Sequence, residues 1–235
     1  MLPDDYARVR EAADADAYKA GLVAFANRMD FSTISTILVI ERLQRPAEVI
    51  EVHNTPDAFL GKYSDSAGSK RDPVARRLQQ MNCPILWDQS TYADDKVGDL
   101  WEEQAPYDYH TGVAMALHLP NGKHFYLGVD RRNPLPSDQI QLTRILADLQ
   151  LLAVYALEAT QRLLPRTEPE APIYLTRREC EVLHWTLLGK SAWAIAQICG
   201  VSENTIHWHV QQAMRKLSCE NKLSAALKAR DRGLI

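Results

Sequence analysis

The stretch KSAWAIAQICGVSENTIHWHV, Lys190–Val210, decides the fold of the C-terminal part of this chain. Its pattern predicts one helix over Ser191–Cys199, ended by Gly200, and a second helix capped by Ser202. The second helix places apolar residues at helical spacing along one side: Ile206, Val210, Ala213 and Leu217. Two short helices joined by a turn that contains Gly form the helix-turn-helix plan.

The other side of the second helix is polar. A helix that enters the major groove of DNA needs donors and acceptors that match base edges, and Asn204, His207 and Gln211 supply them. Arg215 and Lys216 suit phosphate groups. The alternative is a solvated surface helix, but an exposed Trp and two His residues are costly choices for solubility alone. We therefore predict a DNA-binding set: Lys190, Ser191, Ser202, Glu203, Asn204, Thr205, His207, Trp208, Gln211, Arg215 and Lys216.

Local signals predict one more helix on each side of this pair. Thr176 and Glu179 form a T-x-x-E capping box, in which each side chain satisfies a free amide at a helix start. A last helix is expected to start near Asn221 or Ser224 and to stop at Gly233. The C-terminal part is therefore predicted to be an all-α domain of four helices.

Length and charge indicate two domains. The chain has 235 residues, of which 46% are hydrophobic and 24% charged, as in ordinary folded protein. The stretch LPRTEPEAP, Leu164–Pro172, reads as a linker, and we predict domains at 1–165 and 174–235 with a linker at 166–173. From Arg166 onward there are 10 Lys or Arg against 7 Asp or Glu, whereas the preceding part has 17 against 23. This asymmetry indicates that the C-terminal part meets a polyanion.

The first domain mixes helical and strand-like patterns. Helical periodicity at the start gives way to the β-rich runs FSTISTILVIER (31–42) and AEVIEVHN (47–54). The run GVAMALHLPNGKHFYLGVD (112–130) reads as two strands joined by a Pro-Asn-Gly turn. Helical segments between them contain Asp72–Met81 and Asp99–Gln104, and a long helical pattern covers Ser137–Leu163. We predict an α+β fold, arranged as an α/β/α sandwich, followed by the helix-turn-helix domain.

Several classes of protein are disfavoured. The longest uninterrupted apolar stretches, such as Leu151–Leu157, are too short to cross a bilayer, and the N-terminus is acidic and helical, so a cytoplasmic protein without a membrane partner is expected. The 4 cysteines are widely spaced, and no metal site is predicted. No phosphate-binding Gly loop or nucleophile elbow is visible, so no enzyme and no cofactor are expected. The alternatives for the first domain are a dimerisation module or an enzyme in which Asp72 pairs with His110 or His118.

From Leu175 to Ile235 the sequence resembles the C-terminal domain of LuxR-type transcription regulators. The matches are LT-x-RE-x-EVL-x-W, GKS, VS-x-NT and the terminal GLI, with Glu179, Leu183 and Gly189 on signature positions. One departure is Ala194, where the family often has Glu, and it removes a surface carboxylate. The resemblance implies a DNA-binding transcription regulator.

The first domain decides which signal is read. A phosphorylated receiver would begin with a strand that leads into paired acidic residues, whereas here Asp4 and Asp5 precede any strand. The domain instead resembles the acyl-homoserine lactone receptor of quorum-sensing regulators, whose landmarks occur in order: Tyr63, Asp72-Pro73-Val74, Trp87, Tyr92 and Trp101-Glu102-Glu103.

This resemblance implies a site for a small amphiphilic ligand. Asp72 would accept an amide N–H, and the aromatic residues would form walls around an acyl chain. The alternative is that Tyr63, Trp87 and Trp101 are core aromatics, and that Asp72 caps a helix before Pro73. The implied ligand-binding set is Thr55, Phe59, Tyr63, Asp72, Val74, Trp87, Tyr92, Trp101 and Gly128.

Three of these positions depart from the family pattern. Phe59 stands where the family usually has a Trp that donates to the lactone carbonyl, Thr55 where a Tyr is frequent, and Gly128 where a hydroxyl residue is often found. Losing one donor to a buried carbonyl costs about 1–3 kcal/mol. The sequence leaves three outcomes open: an orphan regulator with a different small-molecule ligand, one that acts without ligand, or one that binds a lactone weakly or in a shifted pose.

The resemblance also implies a homodimer. One recognition helix buries little surface, whereas two helices read a two-fold symmetric site on double-stranded DNA. The helix predicted over Ser137–Leu163 is the candidate dimer element, with ordinary core packing as the alternative. RNA polymerase is a further candidate partner.

Overall fold

A computed structural model describes residues 1–42, 45–56, 71–164 and 173–235 of the chain. These residues form two compact units. Within the described residues, the first is made mainly of Met1–Ile40, Ala47–Leu119 and Lys123–Pro165, and the second mainly of Arg166–Ile235. The predicted linker lies almost entirely outside the described residues, so its limits stay a prediction.

The first unit is built on a five-stranded sheet with the order β2-β1-β5-β4-β3. The strands are β1 Thr33–Arg42, β2 Arg45–His53, β3 Ile85–Trp87, β4 Thr111–Leu119 and β5 Lys123–Arg131. Strand β5 pairs antiparallel with both β1 and β4, and β3 pairs antiparallel with β4. The three-residue turn between β4 and β5, Pro120–Gly122, places Asn121 and Gly122 at positive φ, a conformation that Asn and Gly adopt more readily than other residues. The predicted Pro-Asn-Gly hairpin is therefore confirmed.

Three helices cover one face of the sheet: α1 Pro3–Arg10, α2 Ala15–Arg28 and, after β5, the long helix α6 Gln139–Leu163. Helices α2 and α6 begin at Asp14 and Asp138, whose side chains accept backbone N–H groups. Alternate residues of β1 and β5 point into the core between these layers, which includes Leu22, Phe25, Ile34, Leu38, Phe125, Leu127, Leu149, Leu152 and Ala156.

Three short helices cover the other face: α3 Pro73–Leu78, α4 Gln89–Asp94 and α5 Gly98–Gln104. A second cluster of buried residues lies there, formed by Val74, Leu78, Ile85, Trp87, Tyr92, Leu100, Tyr109, Ala114 and Ala116. The first unit is thus an α/β/α sandwich, as the sequence predicts. One boundary differs, since the helical segment expected over Asp72–Met81 is helical only over Pro73–Leu78. The short strand β3 is not predicted by the sequence.

Helix α6 is long and apolar enough, by length and composition, to cross a membrane. Its inward side is nevertheless used in the fold, since Leu149, Leu152, Ala153 and Ala156 are fully buried in the core. Its outward side keeps Ile140, Leu151 and Val154 exposed. Such a helix is typical of a core element that also presents an apolar surface.

The second unit contains α7 Arg177–Leu187, α8 Ala192–Cys199, α9 Glu203–Leu217 and α10 Lys222–Asp231. Each helix has a side-chain cap at its start, supplied in order by Thr176, Ser191, Ser202 and Asn221. One core joins α7, α9 and α10 through Leu183, Ala213, Leu217, Ala225, Ala226 and Ala229, and another joins α7, α8 and α9 through Val182, Ile195, Ala196 and Ile206. The predicted four-helix domain and its capping box are confirmed.

Candidate functional site

Helices α8 and α9 form the helix-turn-helix. Gly200 ends α8 in the left-handed conformation at φ 66°, which a residue with a Cβ adopts at a cost. The chain then turns, and the Ser202 hydroxyl accepts the N–H of Thr205 at 3.1 Å to start α9. The apolar side of α9, with Ile206, faces the cores, so its polar side faces outward.

The structure exposes nearly all of the predicted DNA-contacting residues. Thr205 is half-buried, and the others are exposed: Lys190, Ser191, Ser202, Glu203, Asn204, His207, Trp208, Gln211, Arg215 and Lys216. Trp208 keeps 55% of its surface exposed, although it lies on the helix whose other side packs into two cores. Glu203 Oε1 lies 3.7 Å from His207 Nε2, one turn along α9. An exposed Trp beside polar groups of this kind matches a face that contacts another molecule.

Lys216 differs from the other basic residues of α9. Its Nζ donates to Oε2 of Glu179, a buried residue of α7, at 2.7 Å. The same carboxylate oxygen accepts the backbone N–H of Thr176 at 2.7 Å. Burial raises the pKa of Glu179, but these donors outweigh it, and the pKa lies below its ordinary value. Lys216 therefore has a structural role that its prediction as a phosphate contact did not include.

In the first unit, the candidate ligand site lies on the sheet face covered by α3, α4 and α5. Asp72 caps α3, with Oδ1 accepting the N–H groups of Val74 at 2.8 Å and Ala75 at 3.3 Å. The Tyr92 hydroxyl from α4 donates to the same oxygen at 3.5 Å. Asp72 is only 9% exposed. Asp72 therefore caps α3 and is at the same time buried beside Tyr92 on the face where the ligand site is predicted.

A second carboxyl group, Asp130 at the end of β5, lies in the same region. It is 7% exposed, and its Oδ2 accepts a hydrogen bond from the Thr33 hydroxyl at 3.0 Å. Burial, with a smaller contribution from the negative charge of Asp72, raises its pKa to about 7, although the Thr33 hydrogen bond acts in the opposite direction. Burial also raises the pKa of Tyr109 to about 12, with a further contribution from the charge of Asp130. We call the group Thr33, Asp72, Tyr92, Gln104, Tyr109 and Asp130 the polar end of the site.

Gln104 places a buried side-chain amide at the polar end. It closes α5, is 3% exposed, and its Nε2 has no hydrogen-bond partner among the described residues. The side chain lies next to the Tyr92 hydroxyl, whose pKa is raised mainly by burial and then by Asp72. A buried amide nitrogen without an acceptor is costly, and a ligand carbonyl would relieve that cost.

Small residues lie on the sheet beyond the polar end. Ala114 and Ala116 of β4 and Gly128 of β5 point to the same face, and a Cβ built at Gly128 would lie 3.2 Å from the Ser35 hydroxyl. Gly128 lacks the hydroxyl group that the family often has at this position, but the Ser35 hydroxyl of β1 lies next to it. Thr33 and Ser35 are two residues apart in β1, and this polar alternation is the sequence signal that their side chains share one face of the sheet.

The other predicted ligand residues have mixed positions. Val74 and Trp87 are buried in the second cluster, and the Thr55 hydroxyl lies 2.8 Å from that of Tyr109. Trp101 packs on the outside of the cluster, where its indole N–H donates to the carbonyl of His110 at 3.1 Å and is thereby used by the fold. Phe59 and Tyr63 lie outside the described residues.

The histidines predicted as partners of Asp72 in an acid–base pair make other contacts. His118 Nδ1 lies 2.7 Å from His124 Nδ1, and its Nε2 lies 3.0 Å from the carbonyl of Leu78. The ring of His110 packs edge-on against Trp101. Within the described residues, no group of three or more His, Cys, Asp or Glu side chains is placed to hold a metal ion.

Two family models match this chain. The autoinducer binding domain matches residues 14–160, which cover most of the sandwich, and "Bacterial regulatory proteins, luxR family" matches residues 174–229, which cover α7, α8, α9 and most of α10. The chain belongs to the LuxR family. It is a transcription regulator with an autoinducer-binding domain and a LuxR-type helix-turn-helix domain.

Individual members of the LuxR family support this assignment. The transcriptional activator SolR of Ralstonia nicotianae is 32% identical over 181 residues, covering 77% of this chain and 75% of SolR. A crystal structure of Escherichia coli SdiA matches with a TM-score of 0.72 and 26% identity, covering 97% of this chain and 94% of SdiA. A second SdiA structure, in complex with octanoyl-rac-glycerol, shows the same fold with a TM-score of 0.74 at 24% identity, covering 97% and 93%.

Proposed function

We propose that this LuxR-family regulator senses an acyl-homoserine lactone, or a closely related neutral amphiphile, at the polar end of its first unit. The observation that carries the proposal is the position of Asp72, a buried carboxylate anchored by two backbone N–H groups and contacted by the Tyr92 hydroxyl. A carboxylate held in this way is a fixed acceptor for the N–H of an amide. Ala114, Ala116 and Gly128 are the small residues of this sheet face, and we place the apolar chain of the ligand beside them.

A thermal-shift screen of the purified full-length protein tests this proposal. Acyl-homoserine lactones of varied chain length are compared with octanoyl-rac-glycerol, which SdiA binds in a solved structure. A ligand that binds only the folded state raises the melting temperature. We expect a rise that depends on acyl chain length and that Asp72→Asn weakens. A melting temperature unchanged by every lactone would refute lactone sensing.

The second candidate is an orphan regulator with a non-lactone ligand. Phe59 offers no donor for a lactone carbonyl, and the Thr55 hydroxyl already lies 2.8 Å from the Tyr109 hydroxyl. A rise in melting temperature with octanoyl-rac-glycerol and none with any lactone would favour this candidate.

We infer that the polar side of α9 reads DNA as the recognition helix. The predicted base contacts Asn204, His207 and Gln211 are exposed on this helix, and the exposed Arg215 further along it is proposed to contact phosphate. Fluorescence anisotropy with random-sequence and selected duplexes would measure this binding. We expect Asn204→Ala to relax the base preference selected by the wild type.

The active form is proposed to be a cytoplasmic homodimer on a two-fold symmetric operator. Ile140, Leu151 and Val154 keep apolar surface exposed on α6, opposite the side that the core uses. An exposed apolar stripe on a long helix is suited to pairing with a second copy. RNA polymerase is proposed as a further partner at the promoter.

A further inference from the structure

Asp130 is the second carboxyl group of the polar end, and its surroundings differ from those of Asp72. The titratable groups that face it are Asp72 from the start of α3, Tyr92 from α4 and Tyr109 from the segment before β4. None of these brings a positive charge. Among the residues that the structure describes, Thr33 is the donor bonded to the Asp130 carboxyl group.

Two buried carboxyl groups that lie close together do not both ionise at low cost. Asp72 accepts two backbone N–H groups, which stabilise its charged form, whereas Asp130 accepts one hydroxyl. The proton therefore stays on Asp130. In agreement with this geometry, burial and the charge of Asp72 raise the pKa of Asp130 to about 7.

The proton can also be assigned to one oxygen. Oδ2 accepts from Thr33, which leaves Oδ1 to carry the hydrogen. Oδ1 lies next to Gly112. A Cβ built on Gly112 would be 2.8 Å from Asp130 Oδ1 and 2.7 Å from Trp87 Nε1. The polar end thus combines a fixed acceptor, Asp72, with an acid O–H and the buried side chain of Gln104, whose Nε2 has no hydrogen-bond partner among the described residues.

We propose that Asp130 acts as a neutral acid that donates its Oδ1–H to a carbonyl oxygen of the ligand head group, while Asp72 accepts the N–H of the same head group. This inference rests on the proposed small-molecule sensing by the first unit. It makes Asp130 a specificity-determining residue and defines the ligand class as an N-acyl compound whose amide N–H is followed by a second carbonyl. A buried acid that is kept neutral to donate a hydrogen bond has precedent in enzyme sites.

The proposal gives ligand affinity a pH dependence. The donating form of Asp130 is lost as the pH rises through its pKa of about 7. Between about pH 6 and about pH 8 its population falls roughly tenfold, and the affinity for such a ligand falls by the same factor. A ligand with a protonated amine head group would respond in the opposite direction, because it would prefer ionised Asp130.

Calorimetric titration of the full-length protein with N-octanoyl-homoserine lactone tests this dependence. We expect wild-type affinity to fall about tenfold between about pH 6 and about pH 8. Asp130→Asn keeps an N–H donor that does not titrate, so its affinity should not change over this range, whereas Asp130→Leu should bind weakly at both values. Asp99→Asn is the matched control, since Asp99 is an exposed carboxyl paired with Arg71, and it should keep the wild-type profile.

An infrared measurement without ligand checks the protonation itself. Wild-type protein near neutral pH should show the carbonyl stretch of a protonated carboxylic acid, and Asp130→Asn should lack it. Absence of this band from the wild type overturns the proposal, as does wild-type affinity that is equal at both pH values. If the wild type binds neither the lactone nor octanoyl-rac-glycerol, the proposed ligand sensing is wrong and the inference falls with it. If the wild type binds the lactone with an affinity that does not depend on pH and lacks the infrared band, the role of Asp130 is wrong, but the proposed ligand sensing still stands.

Discussion

Lys216 on the recognition helix α9 and Glu179 on α7 form an ion pair at 2.7 Å, and Glu179 is 3% exposed. Glu179 also takes part in the capping box that starts α7, since its carboxylate accepts the N–H of Thr176. The start of one helix is therefore joined to the last turn of another through a single buried carboxylate. This contact fixes the recognition helix on the scaffold of its own unit.

Replacing Lys216 by Ala should destabilise the C-terminal unit. The change leaves a buried carboxylate without its cation, and such losses cost about 1–3 kcal/mol of unfolding free energy. Urea denaturation measures the change. Arg215→Ala is the control, because Arg215 is exposed one residue earlier on α9. Arg215→Ala should leave the stability unchanged and reduce the salt dependence of DNA affinity. Equal stability of the two variants would contradict the structural role of Lys216.

Asn204→Ala and Lys190→Ala should affect DNA binding in different ways. Asn204 lies in the first turn of α9, where recognition helices contact base edges, and its loss should remove about 1–3 kcal/mol of discrimination at one base position. Lys190 lies just before α8 and is expected to contact phosphate, so its loss should weaken binding to all duplexes alike. Competition binding with single-base variants of a selected site separates these outcomes. A uniform loss for Asn204→Ala would exclude it as a base contact.

Val154→Asp should dissociate the proposed dimer. The side chain of Val154 is 50% exposed on α6, beside the exposed Leu151, so a carboxylate there leaves the monomer fold intact but opposes an apolar interface. Analytical ultracentrifugation measures the change. Gln141→Glu adds a charge at another exposed position of the same helix and should leave the dimer unchanged. A wild-type protein that sediments as a monomer, with and without ligand, would refute the dimer.

Asp130 should make the ligand-free protein less stable as the pH rises from about 4 to about 7. Its pKa in the folded state is raised to about 7, whereas the unfolded chain has the ordinary value for Asp. Above that ordinary value the unfolded state releases the proton and the folded state keeps it, so the free energy of unfolding falls until Asp130 itself ionises. Thermal unfolding of Asp130→Asn should show a gain over wild type of about 2–4 kcal/mol near pH 8 and little near pH 4. A gain that does not depend on pH would contradict the raised pKa.

The parts of the fold that were predictable from the sequence have local causes. Thr176, Ser191, Ser202 and Asn221 each cap a helix through contacts within a few residues, so the four-helix domain could be predicted from its own sequence. The hairpin at Asn121 follows equally from its turn. Strand β3 was missed because three residues carry too little periodicity.

The candidate site was only partly predictable, because its contacts join distant segments. Asp130 and Asp72 are brought together by the sheet and by the packing of α3 on it, and no local pattern signals that pair. The ion pair of Lys216 with Glu179 likewise spans 37 residues of sequence. In the sequence, Gln104 is an ordinary polar residue at a helix end, and only the structure shows that its side chain is buried. Side-chain roles of this kind depend on tertiary packing rather than on propensity.

Gly112→Ala should disrupt the polar end, whereas Gly98→Ala should not. A Cβ at Gly112 would clash with the carbonyl oxygen of Val129 and lie 2.7 Å from Trp87 Nε1 and 2.8 Å from Asp130 Oδ1, so strand pairing and both side chains must shift. Overpacking of this kind costs about 1–3 kcal/mol, and the shifted Asp130 should also lose its response to pH. Gly98 begins α5 with no atom within 4 Å of a built Cβ, so Ala there should be neutral or slightly stabilising. Thermal unfolding at two pH values measures both effects. Equal stability of the two variants would contradict the close contacts that the structure shows around Gly112.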